Sequence, residues 1–236
     1  MSMYIECINR KLFLQAMLDR NPKKVVIDFS FKESIKYLKD FQEVLLVYRH
    51  KSLLDETKCL GLVESFVEFC KQNIDYIDII EVPNAHPDHY KQVLSLLKSL
   101  NVRIMCTVQH FSDDLSYLLD DVKCFGFSSK LTDNEILKYL NKHKAYLRSF
   151  GCSVHVFSKY SKELLLSGLV DSFSSSAWTV GAKNGTTYDY VGNFKMSTYH
   201  GSKGQGKDVR KRFKSRCLKY DIDYEQLLAD DTHTVN

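Results

Sequence analysis

Lys24-Val-Val-Ile-Asp-Phe-Ser-Phe31 and Glu43-Val-Leu-Leu-Val-Tyr-Arg49 are near-continuous apolar runs, each opened by a charged residue and closed by polar ones. A strand with water on one face alternates apolar and polar residues. A strand that is apolar at successive positions is buried on both faces, as parallel strands covered by helices are. Working outward, the runs Met3–Ile8, Tyr76–Val82, Val102–Val108, Cys124–Ser128, Ser153–Phe157 and Leu169–Phe173 also read as short strands. Between the strands, Lys11–Asp19, Glu33–Leu38, Leu53–Gln72, Pro87–Leu100, Ser112–Leu119, Asp133–Phe150 and Lys162–Leu166 carry helical spacing. Thr132, Asp133 and Glu135 form an N-cap signal, and Gly151 a stop after the helical segment Asp133–Phe150. This alternation predicts an α/β chain closed into a (β/α)8 TIM-like barrel. The competing doubly wound open sheet usually opens with a glycine-rich turn, and here the first turn is Asn9-Arg10-Lys11.

The composition fits a folded soluble chain: 236 residues, 44% hydrophobic and 26% charged, with 10 glycines and 3 prolines. Such a length builds a core without disulfides or metal. The 7 cysteines are scattered with no C-x-x-C pair, and read as buried thiols of a reducing compartment. With no 18-residue apolar run and no signal-peptide order at the N-terminus, a cytoplasmic location and no membrane contact are expected. The net charge of +4 is local in origin. Lys203, Lys207, Arg210, Lys211, Arg212, Lys214, Arg216 and Lys219 stand against the single acid Asp208. The chain therefore divides into a barrel over residues 1–192 and a C-terminal part over residues 193–236. The latter reads as a polar loop, Asn193–Gly206, a basic helix, Lys207–Tyr220, and an acidic end.

In a barrel, functional groups belong at the C-terminal strand ends and in the loops beyond them. The polar residues expected there are Asp28, Ser30, Arg49, His50, Glu81, Asn84, Gln109, His110, Ser128–Lys130, Ser158, Lys159 and Asp171–Ser176. His86 and His89 flank Asp88 at a spacing that could hold a metal, but Pro87 starts a helix there and no third ligand is prescribed. Metalloprotease, nucleophile-elbow, P-loop and dinucleotide motifs are absent, so no metal and no cofactor is expected. The segment Val170–Gly185, VDSFSSSAWTVGAKNG, joins a strand to a serine-rich turn, the lone Trp178, and Lys183. Such a turn can hold an anion or a base edge, and Trp178 can stack a base or simply pack.

Asp171-Ser-Phe-Ser174-Ser followed by Ala182-Lys183-Asn184-Gly185 resembles the last barrel strand of the tRNA-guanine transglycosylases. It resembles more closely the phage-type relatives that exchange guanine for a 7-deazaguanine in DNA, whose pattern V-D-S-T-S-W-x-x-G-A-[RK]-x-G is similar to Phe173–Gly185 here. The resemblance extends over most of residues 3–192 and implies the same barrel. It also implies base exchange on DNA or tRNA, in which a carboxylate of the last strand attacks C1′ and displaces the base.

Four departures accompany it. The attacking aspartate falls on Ser174, a neutral hydroxyl and a poorer nucleophile. The D-S-G-[GA]-F motif is absent after Glu43–His50, and the paired glycines are replaced at Phe125–Ser129. The zinc motif of the tRNA enzymes is missing as well. The base-reading carboxylate is Glu81, or Asn84 in another register. Asp28 or Asp171 would then supply the missing nucleophile. Two functions are open at this point: a divergent guanine or 7-deazaguanine transglycosylase, or a noncatalytic barrel that binds nucleic acid or serves as a protein-interaction component of a phage. In either, Lys207, Arg210, Lys211, Arg212, Lys214 and Arg216 are candidate phosphate contacts.

Overall fold

The computed structural model describes residues 2–6, 14–15, 17–18, 21–84, 89–108, 122–157, 162–176, 186–191 and 195–200. Eight parallel strands close on themselves: β1 Ser2–Glu6, β2 Lys24–Asp28, β3 Glu43–Val47, β4 Ile79–Glu81, β5 Arg103–Val108, β6 Cys124–Phe127, β7 Ser153–Val156 and β8 Ser172–Ser175. The closing pair is β1 with β8, in the register Ser2 with Ser172 through Ile5 with Ser175. The barrel expected from the apolar runs is the barrel observed. The helices α1 Glu56–Gln72, α2 Tyr90–Lys98, α3 Asp133–Ser149 and α4 Lys162–Leu166 lie in the crossovers. Strands β9 Thr186–Val191 and β10 Lys195–His200 pair antiparallel as a separate two-stranded sheet. Lys195–His200 had read as loop and is strand.

Period-two alternation divides the strand residues into two cores. Val25, Ile27, Val44, Leu46, Ile80 and Phe125 face the helices and pack with Val63, Phe66 and Leu140. Tyr4, Val26, Leu45, Val47, Ile79, Met105, Cys124 and Phe157 form a second cluster inside the barrel. Five cysteines, Cys59, Cys70, Cys106, Cys124 and Cys152, are buried free thiols, and burial pushes Cys70 and Cys124 up to about 12. They are small core residues rather than reactive ones.

Helix boundaries follow their chemistry. The Thr132 hydroxyl accepts the Glu135 N–H while the Glu135 carboxylate accepts the Thr132 N–H at 2.7 Å, a complete capping box. Gly151, at φ +69°, ends α3 in the left-handed conformation that only glycine adopts freely. The helix expected over Leu53–Gln72 is split. A 3-10 turn, Lys51–Leu54, comes first, and Asp55 then caps α1 by accepting the Thr57 N–H at 3.1 Å.

The strand ends differ from expectation where side chains interrupt pairing. Tyr76 belongs to a 3-10 turn, Ile74–Tyr76, and the Asp78 carboxylate accepts the Val44 N–H at 2.8 Å, so β4 starts at Ile79. The last strand is displaced from Leu169–Phe173 to Ser172–Ser175. Gly168, at φ +64°, turns the chain, and Asp171 anchors it to the N-terminal rim before the strand begins. Ser174 and Ser175 are therefore buried strand residues and not a serine-rich turn. No helix among the described residues is long and apolar enough to cross a membrane.

Candidate active site

The polar residues inside the barrel fall into two sets at its two ends. At the N-terminal end, the Glu43 carboxylate accepts from the Tyr4 hydroxyl, pairs with Lys24 at 2.9 Å and meets Arg103 at 3.5 Å. Burial would raise its pKa, but the hydrogen bonds from Tyr4 and Lys24 and the charges of Lys24 and Arg103 bring it below the usual carboxylate value. Burial, with Glu43 as acceptor, lifts the Tyr4 phenol far above its ordinary value. Asp171 belongs to this end too: its carboxylate accepts the Val154 N–H at 2.8 Å, and its carbonyl accepts the Ser2 N–H at 3.0 Å. The expectation that Asp171 lies at the C-terminal face is corrected. It precedes β8, opposite the mouth, and holds β7, β8 and β1 together.

At the C-terminal mouth, the last inward-facing positions of β1, β2 and β4 are all acidic: Glu6, Asp28 and Glu81. Arg49, two residues past the end of β3, reaches over them. Its Nε donates to Glu81 Oε2 at 3.2 Å, and its guanidinium carbon stands 4.4 Å from the centre of the Phe157 ring. Burial works against the guanidinium's charge, yet Glu81, then Glu6 and Asp28, raise its pKa. Thr107 donates to the other Glu81 oxygen at 2.5 Å, so this buried carboxylate is held from both sides. Asp28 Oδ1 accepts the N–H of Ser30 at 2.9 Å and its hydroxyl at 2.7 Å. Ser174, fully buried on β8, donates to Glu6 Oε1 at 2.7 Å across the closing strand pair.

A cavity of about 340 Å³ opens above this layer, lined among others by Arg49, His50, Glu81, Asn84, Tyr90 and Thr107. That volume suits a nucleobase or another small polar ring compound. Phe157 floors it by leaning over Gly126. A Cβ on Gly126 would lie 2.8 Å from the Phe157 ring and 2.8 Å from the Thr107 hydroxyl oxygen. Below, His155 packs between Tyr4 and Phe157, with ring centres at 5.5 and 4.6 Å. Its Nδ1 lies 2.9 Å from the Ser172 hydroxyl, and its Nε2 is buried without a hydrogen-bond partner. Burial, then the charge of Arg49, pushes His155 down to about 3, so it is neutral.

Of the residues singled out in the sequence, Asp28, Glu81 and Ser174 come together at the mouth, and Asp171 does not. Asn84 is exposed on the cavity rim, while Glu81 sits in the strand ladder. Trp178, Lys183, Lys207, Arg210, Lys211, Arg212, Lys214 and Arg216 lie outside the described residues, as do Gln109, His110, Ser158, Lys159 and His86. Ring nitrogen Nε2 of His89 is 3.3 Å from the Glu56 carbonyl oxygen, and among the described residues no group of three or more acidic, His or Cys side chains could hold a metal. Sequence reading missed Glu6 and Thr107. The signal for Glu6 was its alternation with Tyr4 along the first strand, Ser2–Glu6.

No family profile and no curated protein sequence matches the chain. Several solved structures share its fold. A mutant tryptophan synthase α-subunit from Pyrococcus furiosus superposes with TM-score 0.53 at 13% identity, over 92% of this chain and 98% of that one. A native KDPGal structure gives 0.52 at 12% identity over 95% of both chains. An Aquifex aeolicus VF5 protein gives 0.51 at 14% identity, covering 76% of this chain and 85% of that one. At such identities the likeness establishes the TIM-barrel fold alone.

Proposed function

We propose that the mouth of this barrel binds a guanine-type base and that the protein is a divergent guanine or 7-deazaguanine transglycosylase acting on nucleic acid. The observation that carries the reading is the gathering of Glu6, Asp28 and Glu81 around Arg49 beside a base-sized cavity. Glu81, held by Thr107 and Arg49, is the acceptor for the N–H edge of the base. Glu6 is the carboxylate at the attacking position. The resemblance sets the family's nucleophile on Ser174, and the Ser174 hydroxyl donates to Glu6, so the missing carboxylate is supplied from the adjacent strand.

In the proposed exchange, Glu6 attacks C1′ of the target nucleoside as the C1′–N9 bond breaks. The bonding electron pair departs with the base, whose N9 takes up a proton from solvent. The incoming base then loses its N9 proton, attacks C1′ and releases the carboxylate. Asp28 and Arg49 set the field in which charge develops on C1′.

The test is incorporation of labelled guanine or a 7-deazaguanine into guanine-containing tRNA and duplex DNA. Incorporation is expected with wild type and Asp171→Asn, but not with Glu6→Gln. Glu81→Gln should weaken binding of the free base by on the order of tenfold or more, the cost of a lost charged hydrogen bond. Normal incorporation by Glu6→Gln would overturn the assignment. The second reading, a noncatalytic nucleic-acid-binding barrel, is favoured by the neutral Ser174 hydroxyl at the family's nucleophile position. It takes over if wild type binds nucleic acid yet exchanges nothing.

A further inference from the structure

A second cavity, about 730 Å³, lies beside the mouth on the outside of the β2–β3 edge. Its origin is a deficit in helical cover. The crossover from β2 to β3 carries a six-residue 3-10 helix, Ile35–Asp40, kinked at Tyr37, whereas the next crossover carries the 17-residue α1. The short element leaves a cleft between itself and α1. The cleft walls are Phe29, Tyr48 and Phe69, with Phe29 edge-on to Tyr48 at 4.9 Å and tilted against Phe69 at 5.0 Å. Lys32, Lys36 and His50 stand on its rim, all exposed, and among the described residues no carboxylate lines it. Tyr48 and His50 also line the mouth cavity, so the two spaces share a wall.

We infer that this cleft is a nucleotide-binding subsite. It takes the nucleotide next to the one whose base enters the mouth, with its base against the aromatic wall and its phosphate on Lys32, Lys36 and His50. The inference rests on the proposed function, and it adds what that reading lacks, a site for the polymer. Aromatic faces bind bases whatever their sequence, and lysines neutralise phosphates. The shared wall makes the cleft the mouth's immediate neighbour. Lys51 and Lys130 line the mouth above its acidic base, so cations border both spaces along the path that a phosphodiester would take between them.

The test uses the full chain and fluorescent single-stranded DNA and RNA oligonucleotides containing one guanine flanked by 2-aminopurine. Wild type should quench the 2-aminopurine as it stacks. Lys32→Ser/Lys36→Ser, on exposed positions away from the mouth, should lower affinity on the order of tenfold and reduce the salt slope by about one per lysine. Binding of free guanine by that variant should be unchanged. Oligonucleotide binding with the same affinity and slope in the variant, or without quenching in wild type, overturns the subsite. If wild type takes up free guanine but no oligonucleotide, the cleft assignment falls and the base site stands. If it binds neither, the proposed function itself falls.

Discussion

Gly126→Ala tests the packing that shapes the mouth. Gly126 faces the barrel interior on β6, and a methyl there would meet the Phe157 ring and the Thr107 oxygen at 2.8 Å and the Met105 sulfur at 3.0 Å. Ordinary carbon contacts are about 3.5–4.0 Å, so the ring must retreat by several tenths of an ångström from three sides at once. Such overpacking costs about 1–3 kcal/mol, against a gain of about 0.4–1 kcal/mol from the stiffer unfolded chain. The net is a destabilisation of about 1–2 kcal/mol, or roughly 2–8 °C in Tm at about 2–4 °C per kcal/mol. Moving Phe157 and Thr107 also releases Arg49 and Glu81, so binding of free guanine should weaken together with stability. The assay is urea unfolding beside Gly61→Ala, where nothing lies within 4 Å of the added methyl and the helix gains about 1 kcal/mol. Phe157→Leu combined with Gly126→Ala should recover part of the loss. Equal stabilisation by both alanines would refute the close approach of Phe157 to β6, and with it the floor of the cavity.

Buried His155 stays neutral in the fold down to about pH 3, while the unfolded chain protonates it near its ordinary 6.5. It therefore contributes to loss of stability as pH falls from about 6.5 towards 3, and His155→Phe should flatten that part of a stability–pH curve relative to wild type. An unchanged difference between the two proteins across this window would count against the burial. Thr132→Ala removes half of the α3 capping box and should cost about 1 kcal/mol by denaturant melt. Asp171→Ala strips the Val154 N–H of its acceptor and should cost about 1.5–3 kcal/mol, with the loss appearing in unfolding rather than in binding of free guanine.

The fold was legible because its evidence is repeated. Runs such as Val25–Ile27 and Val44–Val47 must be apolar at successive positions when helices cover one side and a packed lumen the other. The site was legible only in part, because a barrel site is defined by strand ends, and ends depend on single side chains. Asp78 and Asp171 look like polar residues of strands or turns, yet each uses its carboxylate on the N–H of a neighbouring strand, an act of tertiary structure with no local signature. Misplacing the start of β8 by three residues put Asp171 at the wrong end of the barrel. Reading the first strand as Met3–Ile8 placed Glu6 in mid-strand rather than at a strand end. Glu81 and Asp28 survived because a lone acid closing an apolar run points to the mouth in any nearby register.

The two ends of this barrel illustrate what separates a structural charge cluster from a candidate site. At the N-terminal end Glu43 has Tyr4, Lys24 and Arg103 around it and Asp171 accepts the Val154 N–H, so each carboxylate there is answered by donors of neighbouring strands. At the mouth, against the effect of burial, three carboxylates, Glu81, Glu6 and Asp28, act together on one guanidinium and raise the pKa of Arg49. A buried carboxylate costs stability unless it is paired, and Val47 closes the same layer on β3 with an apolar side chain. Thr107 and Ser174 hold two of the three acids, Glu81 and Glu6, by hydrogen bonds, which fixes their oxygens at the mouth as the proposed function requires. Under that proposal the ligand offers N–H donors to Glu81 and an electron-poor carbon to Glu6, and a glycosidic carbon beside a guanine edge has both.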